Sequence, residues 1–157
     1  MKSRRIRHDV LLGLIDQVYE AAVTPELWER FLVSLAESVN GRAAGLLQHD
    51  LATSGAINVG VRVDPEALHQ YDSHFNRLDP WAAGARRLGP GVVATDEMLI
   101  SPQARRTEYF SDFAARFDLT RLLTVVFGSG AGTNVVLSVL RGDRDEAFAE
   151  GDRGLGA

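Results

Sequence analysis

The fold of this chain is decided by its residues 121–142, RLLTVVFGSGAGTNVVLSVLRG. Two runs of apolar and β-branched residues flank GSGAG at 128–132, and runs of this composition form β-strands. A phosphate-binding glycine loop would need the N-terminus of a helix directly after the glycines, whereas a second strand-like run follows here. The stretch therefore predicts a long antiparallel hairpin that supplies central strands of a sheet.

Upstream segments predict three further strands. AAGLLQHD (43–50) and GAINVGVRV (55–63) flank LATSG, a turn-rich connection of hairpin length. A short strand is predicted at Val92–Thr95, after the turn residues of LGPG. With the last hairpin, this makes a sheet of about five strands.

Two helices are predicted before the first strand. The first should end near Ala22–Val23, and a second restarts with Thr24 as N-cap and Pro25 at the first helical position. The first helix has apolar residues spaced by three or four positions, which is the pattern of an amphipathic helix. These residues are Ile6, Val10, Leu11, Leu14, Ile15, Val18 and Ala22.

More helices are predicted between the two hairpins. DPEALHQYDSHFNR (64–77) and DPWAAGARR (79–87) each open with Asp-Pro, the residue pair that suits the N-cap and the first helical position. SPQARRTEYFSDFAARF (101–117) predicts a further helix with aromatic residues along one side. At the C-terminus, EAFAEGDRGLGA (146–157) begins as if starting a helix around Phe148, and its glycines predict a frayed end.

This order of elements predicts an α+β fold, with the middle helices packed on one antiparallel sheet. The PAS and GAF folds have this plan, and both enclose a pocket between sheet and helices. A length of 157 residues suits one domain, residues 1–157. The N-terminal apolar run VLLGLI is too short for a membrane span of about 20 residues, and acids follow it. We therefore expect a cytoplasmic protein with no membrane partner.

Composition and spacing give no sign of catalysis or of metal binding. The net charge of −4 disfavours binding to a phosphate backbone, and the absence of cysteine excludes thiolate ligands and nucleophiles. A serine nucleophile would need a G-x-S-x-G elbow between a strand and a helix, which is missing. The histidines lack the spacing of a metal site. They are His8, His49, His69 and His74. We predict no enzyme, no metal and no cofactor.

The DPW tripeptide at 79–81 allows two interpretations. Asp79 suits the N-cap of the helix that Pro80 begins. Tyr71, Phe75 and Trp81 lie close to Asp79 in the sequence, however. A carboxylate beside aromatic rings can accept a hydrogen bond from a ligand amide or hydroxyl while the rings cover its apolar part. Asp79 can cap the helix and present its other oxygen to a pocket.

The chain resembles the N-terminal sensory region of LuxR-type transcriptional regulators. The resemblance runs through the segments 18–50, 63–99, 105–119 and 135–141, among them VYEAAVTPELWERF, VDPEALHQYDSHFNRLDPW, RRTEYFSDFAARFDL and VVLSVLR. FAEGDRGLGA (148–157) is similar to the first turn of the segment that leads, in such proteins, to a C-terminal helix-turn-helix. The resemblance implies a regulatory domain that acts on DNA only through such a module, which this sequence lacks.

A narrower resemblance concerns the acyl-homoserine-lactone-binding domains of quorum-sensing LuxR proteins. In these domains an aspartate before proline takes the amide N–H of the ligand, and Asp79–Pro80 with Tyr71 upstream is similar. Leu68 or a neighbour stands where that family has a tryptophan, and Asp64–Pro65 replaces its Tyr-Pro. The resemblance therefore implies that Asp79 and Tyr71 line a pocket, and leaves the ligand open.

The leading hypothesis is a homodimeric domain that senses an unknown small-molecule effector. Its predicted ligand-binding residues are those around Asp79 and the inward residues of the last hairpin: Tyr71, Phe75, Asp79, Trp81, Val125, Phe127, Val136 and Ser138. A second hypothesis is a dimerisation module with a filled core, which uses the first helix as its contact surface. A third is a small enzyme or haem carrier, for which His69 or His74 would be the haem ligand.

Overall fold

A computed structural model describes residues 7–50, 56–127, 133–149 and 152. The α-helices of the described residues are α1 (His8–Val23), α2 (Trp28–Ser38), α3 (Pro65–Ser73), α4 (Pro80–Ala85) and α5 (Asp96–Leu99). The strands are β1 (Ala43–Asp50), β2 (Ala56–Val61), β3 (Val93–Thr95), β4 (Arg121–Phe127) and β5 (Thr133–Arg141). Single helical turns of other types occur at Pro25–Leu27, Phe75–Arg77 and Pro102–Arg106, and a π-helix spans Tyr109–Ala114.

The strands form one antiparallel sheet in the order β2-β1-β5-β4-β3. β5 lies at its centre and pairs with β1 from Ala43↔Leu140 to Asp50↔Thr133, and with β4 from Arg121↔Arg141 to Phe127↔Val135. This confirms the predicted five-stranded α+β fold with the last hairpin supplying the central strand. Both predicted hairpin turns, LATSG and GSGAG, lie outside the described residues.

Helices cover both faces of the sheet, and each face has its own hydrophobic cluster. On one face, which we call the pocket face, α3, α4, α5 and the π-helix pack over Leu122, Val126 and Val136. On the other, the back face, α1 and α2 pack over Leu123 and Val139. The two faces alternate along β4 and β5 because successive side chains of a strand point to opposite sides.

The Asp-Pro pairs begin helices as predicted. The Asp64 carboxylate accepts the Glu66 N–H at 2.9 Å, and Asp79 accepts the Trp81 and Ala82 N–H groups at 2.9 and 3.1 Å. Thr24 was predicted to cap in the same way, but its side chain makes no capping bond because a 3-10 turn at Pro25–Leu27 precedes α2.

Two predicted helices take another form. The stretch 101–117 is divided into the 3-10 turn Pro102–Arg106 and the π-helix Tyr109–Ala114, which lets several aromatic side chains face the core at once. The predicted helix start at 146 is wrong: residues 146–149 have no regular structure, and Phe148 is nevertheless buried in the back-face cluster. The glycines at 151, 154 and 156, with their predicted fraying, lie outside the described residues.

Candidate ligand-binding cavity

A cavity of about 120 Å³ lies between the pocket face and the helices above it. Side chains of α3, α4 and the π-helix form its roof, and β1, β4 and β5 form its floor. Most of the wall is apolar, with leucines such as Leu47, Leu122 and Leu140. Polar groups enter at two places, around Asp79 and around Thr124 and Ser138. A cavity of this kind suits a ligand with an apolar body and few polar groups.

Asp79 joins the two helices above the cavity. Its Oδ1 accepts the two backbone N–H groups that start α4, and its Oδ2 accepts the Tyr71 hydroxyl of α3 at 2.8 Å. The structure thus shows Asp79 in both positions that the sequence allowed, as a helix cap and as part of a cavity wall.

The surroundings of Asp79 perturb three ionisable groups. Burial raises the pKa of the Asp79 carboxyl above its ordinary value of 3.8, although the hydrogen bonds from Tyr71, Ala82 and Trp81 act in the opposite direction. Burial also raises the pKa of Tyr71 and Tyr109 well above the ordinary value, and the nearby Asp79 charge adds to the effect. Both tyrosines therefore remain neutral, and the carboxylate is held where its charge is costly.

Aromatic rings pack tightly along one side of the cavity. Phe113 of the π-helix stacks on Phe75, with ring centroids 4.8 Å apart and an interplanar angle of 22°. Trp81 meets Phe110 edge-on at 5.1 Å, and its indole Nε1 is buried without a hydrogen-bond partner among the described residues. These rings form an aromatic wall, centred on Phe113, that supports α4 and Asp79 at its start.

The floor of the cavity carries a polar pair. Thr124 of β4 lies opposite Ser138 of β5 in the strand register, and their hydroxyl oxygens are 2.9 Å apart. Thr124 also donates to the Leu137 carbonyl at 3.1 Å. Because strand register fixes both side chains, this pair offers a ligand a preformed polar contact across from Asp79.

The structure brings together five of the eight residues predicted to bind a ligand. Tyr71, Asp79, Trp81, Val136 and Ser138 all line the cavity. That these residues bind a ligand stays a prediction.

The other three predicted residues lie elsewhere. Phe75 belongs to the core behind the cavity. Val125 and Phe127 face the back of the sheet, where Val125 lines a separate apolar cavity of about 170 Å³ beside α1 and Phe127 is 45% exposed. The reason is register: Val136 pairs with Val126, so Val125 and Phe127 point the opposite way.

Most of the other residues that line the cavity were not predicted as site residues, among them Tyr109, Phe113 and Thr124. Tyr109 and Phe113 were predicted to share one side of a helix, and only the tertiary packing turns that side towards Asp79. Thr124 is the polar residue inside the otherwise apolar run 122–127, and this contrast was a signal that sequence reasoning could have used.

The described part of the chain was also searched for metal ligands, for histidines in the cavity wall and for membrane-spanning helices. Its residues contain no cluster of three His, Asp or Glu side chains that could hold a metal ion. His69 and His74 are absent from the described cavity wall, and the His74 ring pairs with Glu108 at 2.9 Å on the surface. No helix of the described residues is long and apolar enough to cross a membrane.

The sheet order, the helices on both faces and the cavity on the pocket face define an α+β domain built on one antiparallel sheet. No protein-family model and no curated protein sequence matches the chain. Solved structures do match it, and the chain has the fold of the ligand-binding domains of LuxR-family regulators.

Three of these structures illustrate the likeness. The VqsR ligand-binding domain from Pseudomonas aeruginosa matches with a TM-score of 0.71 and 19% identity, over 94% of this chain and 85% of that one. CepR2 from Burkholderia cenocepacia is an N-acylhomoserine-lactone-dependent LuxR-family transcription factor. It matches with a TM-score of 0.69 and 17% identity, over 90% of this chain and 80% of that one. SdiA from Escherichia coli matches with a TM-score of 0.56 and 12% identity, over 90% of this chain and 54% of SdiA. SdiA has also been solved in complex with octanoyl-rac-glycerol.

Proposed function

We propose that this chain is the sensory domain of a LuxR-type transcriptional regulator and binds a small molecule in the cavity beside Asp79. The observation that carries the proposal is the Asp79 carboxylate, held in the wall of an apolar cavity by three hydrogen bonds. The acidic balance of the chain agrees with this role, since DNA contact would then fall to a domain outside this sequence. In this function the domain regulates and does not catalyse.

The cavity chemistry supports a particular kind of ligand. A carboxylate can accept about four hydrogen bonds, and the described residues supply three to Asp79. A ligand N–H or O–H would take the remaining acceptor position, while an acyl or aromatic portion would lie against the leucines and rings. Compounds of this kind are named for two of the structural neighbours, an N-acylhomoserine lactone for CepR2 and octanoyl-rac-glycerol for SdiA.

Asp79→Ala should weaken ligand binding by roughly 10- to 100-fold, since hydrogen bonds to a charged group contribute about 1.5–3 kcal/mol. The measurement is isothermal titration with octanoyl-rac-glycerol and with N-octanoyl-homoserine lactone, after native mass spectrometry has identified any compound that co-purifies. Val125→Ala is the matched control because Val125 lies on the back face. Equal affinities for Asp79→Ala and the unmodified chain would contradict the assignment of this carboxylate.

A second candidate function is dimerisation through α1. Leu12, Ile15, Tyr19 and Val23 lie on one side of this helix and are 49%, 43%, 73% and 84% exposed. A contiguous exposed apolar stripe of this kind indicates a surface that contacts another protein. The two candidates are compatible, since a sensory domain can act as a dimer.

Tyr19→Glu should shift such a dimer towards monomer, because it places a charge in the middle of the stripe. Sedimentation velocity at several concentrations measures the shift. His69→Glu, on the surface of α3, is the control for added negative charge. A chain that sediments as a monomer before any substitution would eliminate the α1 interface.

A further inference from the structure

Arg141, the last residue of β5, is almost completely buried although it is charged. The residue is 6% exposed, and its guanidinium lies over the Phe148 ring, 3.9 Å from the centroid. The guanidinium donates hydrogen bonds to the carbonyl oxygens of Val39, Glu146 and Ala147. Burying an arginine is costly unless its donors find acceptors, so these partners determine where the side chain can lie.

The hydrogen-bond partners of Arg141 come from two parts of the chain that both lie outside the sheet. Val39 follows the end of α2, whereas Glu146, Ala147 and Phe148 belong to the segment 142–152. Asp152, at the far end of that segment, lies 3.8 Å from the same guanidinium. One side chain therefore connects β5, the end of α2 and the C-terminal segment.

The segment depends on Arg141 most strongly in its second half. Asp143 and Asp145 have other partners, namely Thr120 at 2.7 Å and Arg42 at 3.0 Å. Residues 146–149 have no regular structure, and they contact Arg141, Asp152 and, through Phe148, the back-face cluster. Without the Arg141 guanidinium, residues 146–149 would therefore detach from the domain before residues 143–145 do.

β5 also forms part of the cavity floor. Val136, Ser138 and Leu140 line the cavity on the pocket face, and Arg141 is the next residue along the strand. Its side chain points to the back face because side chains alternate along a strand. A ligand that moved this end of β5 would therefore also move the Arg141 side chain.

We propose that Arg141 is a positioning residue that couples the cavity to the C-terminal segment: β5, which forms part of the cavity floor, holds residues 146–149 and 152 through this guanidinium. A ligand that shifts β5 changes how firmly the segment is held. This coupling rests on the proposed ligand binding, whereas the attachment of the segment to Arg141 does not.

The attachment is tested by hydrogen–deuterium exchange of Arg141→Lys. A lysine keeps the charge but cannot reproduce the fork of the guanidinium, so exchange at residues 145–149 should accelerate by roughly 10- to 100-fold. The matched control is Arg121→Lys, because Arg121 lies opposite Arg141 on β4 and, among the described residues, forms no hydrogen bond or ion pair with the segment. Exchange in the π-helix should stay unchanged in both variants. Equal exchange of the segment in the two variants would overturn the attachment.

The coupling is tested by adding octanoyl-rac-glycerol to the unmodified chain and to Arg141→Lys while isothermal titration follows binding. Binding that alters exchange at 145–149 in the unmodified chain but not in Arg141→Lys is the expected result. Binding without a change in the segment would overturn the coupling and leave the proposed sensory function intact. If neither this compound nor N-octanoyl-homoserine lactone binds, both the coupling and the proposed function are contradicted. The comparison with Arg121→Lys then still tests whether Arg141 holds the segment.

Discussion

Arg105→Ala is expected to lower the free energy of unfolding by about 3–5 kcal/mol, because it leaves a buried carboxylate without its partner. The Asp96 side chain is 1% exposed, and its Oδ2 accepts a hydrogen bond from Arg105. Arg105 also donates to the Thr120 carbonyl at 2.9 Å and lies 5.4 Å from the centroid of the Phe110 ring. One substitution therefore removes the connection between α5, the start of β4 and the π-helix.

Urea denaturation of Arg105→Ala measures this loss, and Arg30→Ala is the matched control. The Arg30–Glu20 pair is 3.7 Å apart, and its side chains are 64% and 55% exposed, so its loss should cost less than about 1 kcal/mol. Adding Asp96→Asn to Arg105→Ala should recover part of the stability because it removes the unpaired charge. Equal losses for Arg105→Ala and Arg30→Ala would show that the buried pair does not stabilise the domain.

Phe113→Ala should cost about 3–5 kcal/mol, the usual range for removing a buried aromatic side chain. Phe113 is the centre of the aromatic wall, with ring centroids 4.8 Å from Phe75, 5.3 Å from Tyr109, 5.5 Å from Phe117 and 6.0 Å from Tyr71. The ring is 5% exposed, so the substitution would leave a void beside the cavity.

Thermal and urea unfolding of Phe113→Ala should be compared with Phe127→Ala. Phe127 is 45% exposed on the back of β4, and its loss should change the stability by less than about 1 kcal/mol. Phe113→Leu should keep most of the stability because it fills more of the space. A Phe113→Ala chain that unfolds like Phe127→Ala would mean that the aromatic wall is loosely packed.

The two Asp-Pro helix starts could be predicted because they depend on neighbours in the sequence. A capping carboxylate reaches an N–H two or three residues ahead, so Asp64 and Asp79 needed no information from the rest of the chain. The hydrogen bond from Tyr71 to Asp79 was not predicted, although both residues were expected to line a pocket, because it depends on how α3 and α4 pack together.

The cavity floor was predicted less well because it depends on register. The pattern of 121–141 indicated two strands, but an apolar run buried on both faces carries no alternation that tells one face from the other. The pairing of Val126 with Val136 decides that Val136 and Ser138 face the cavity while Val125 and Phe127 do not.

The α+β class, the central hairpin strands and the carboxylate at the start of α4 follow from the amino-acid sequence, because strand composition and helix capping are local properties. Three features depend on the packing of the whole domain: the face of β4 and β5 that forms the cavity, the π-helix at 109–114 and the burial of Phe148 under Arg141. Each of these depends on contacts between residues distant in sequence, and such contacts override local propensity when they bury more surface.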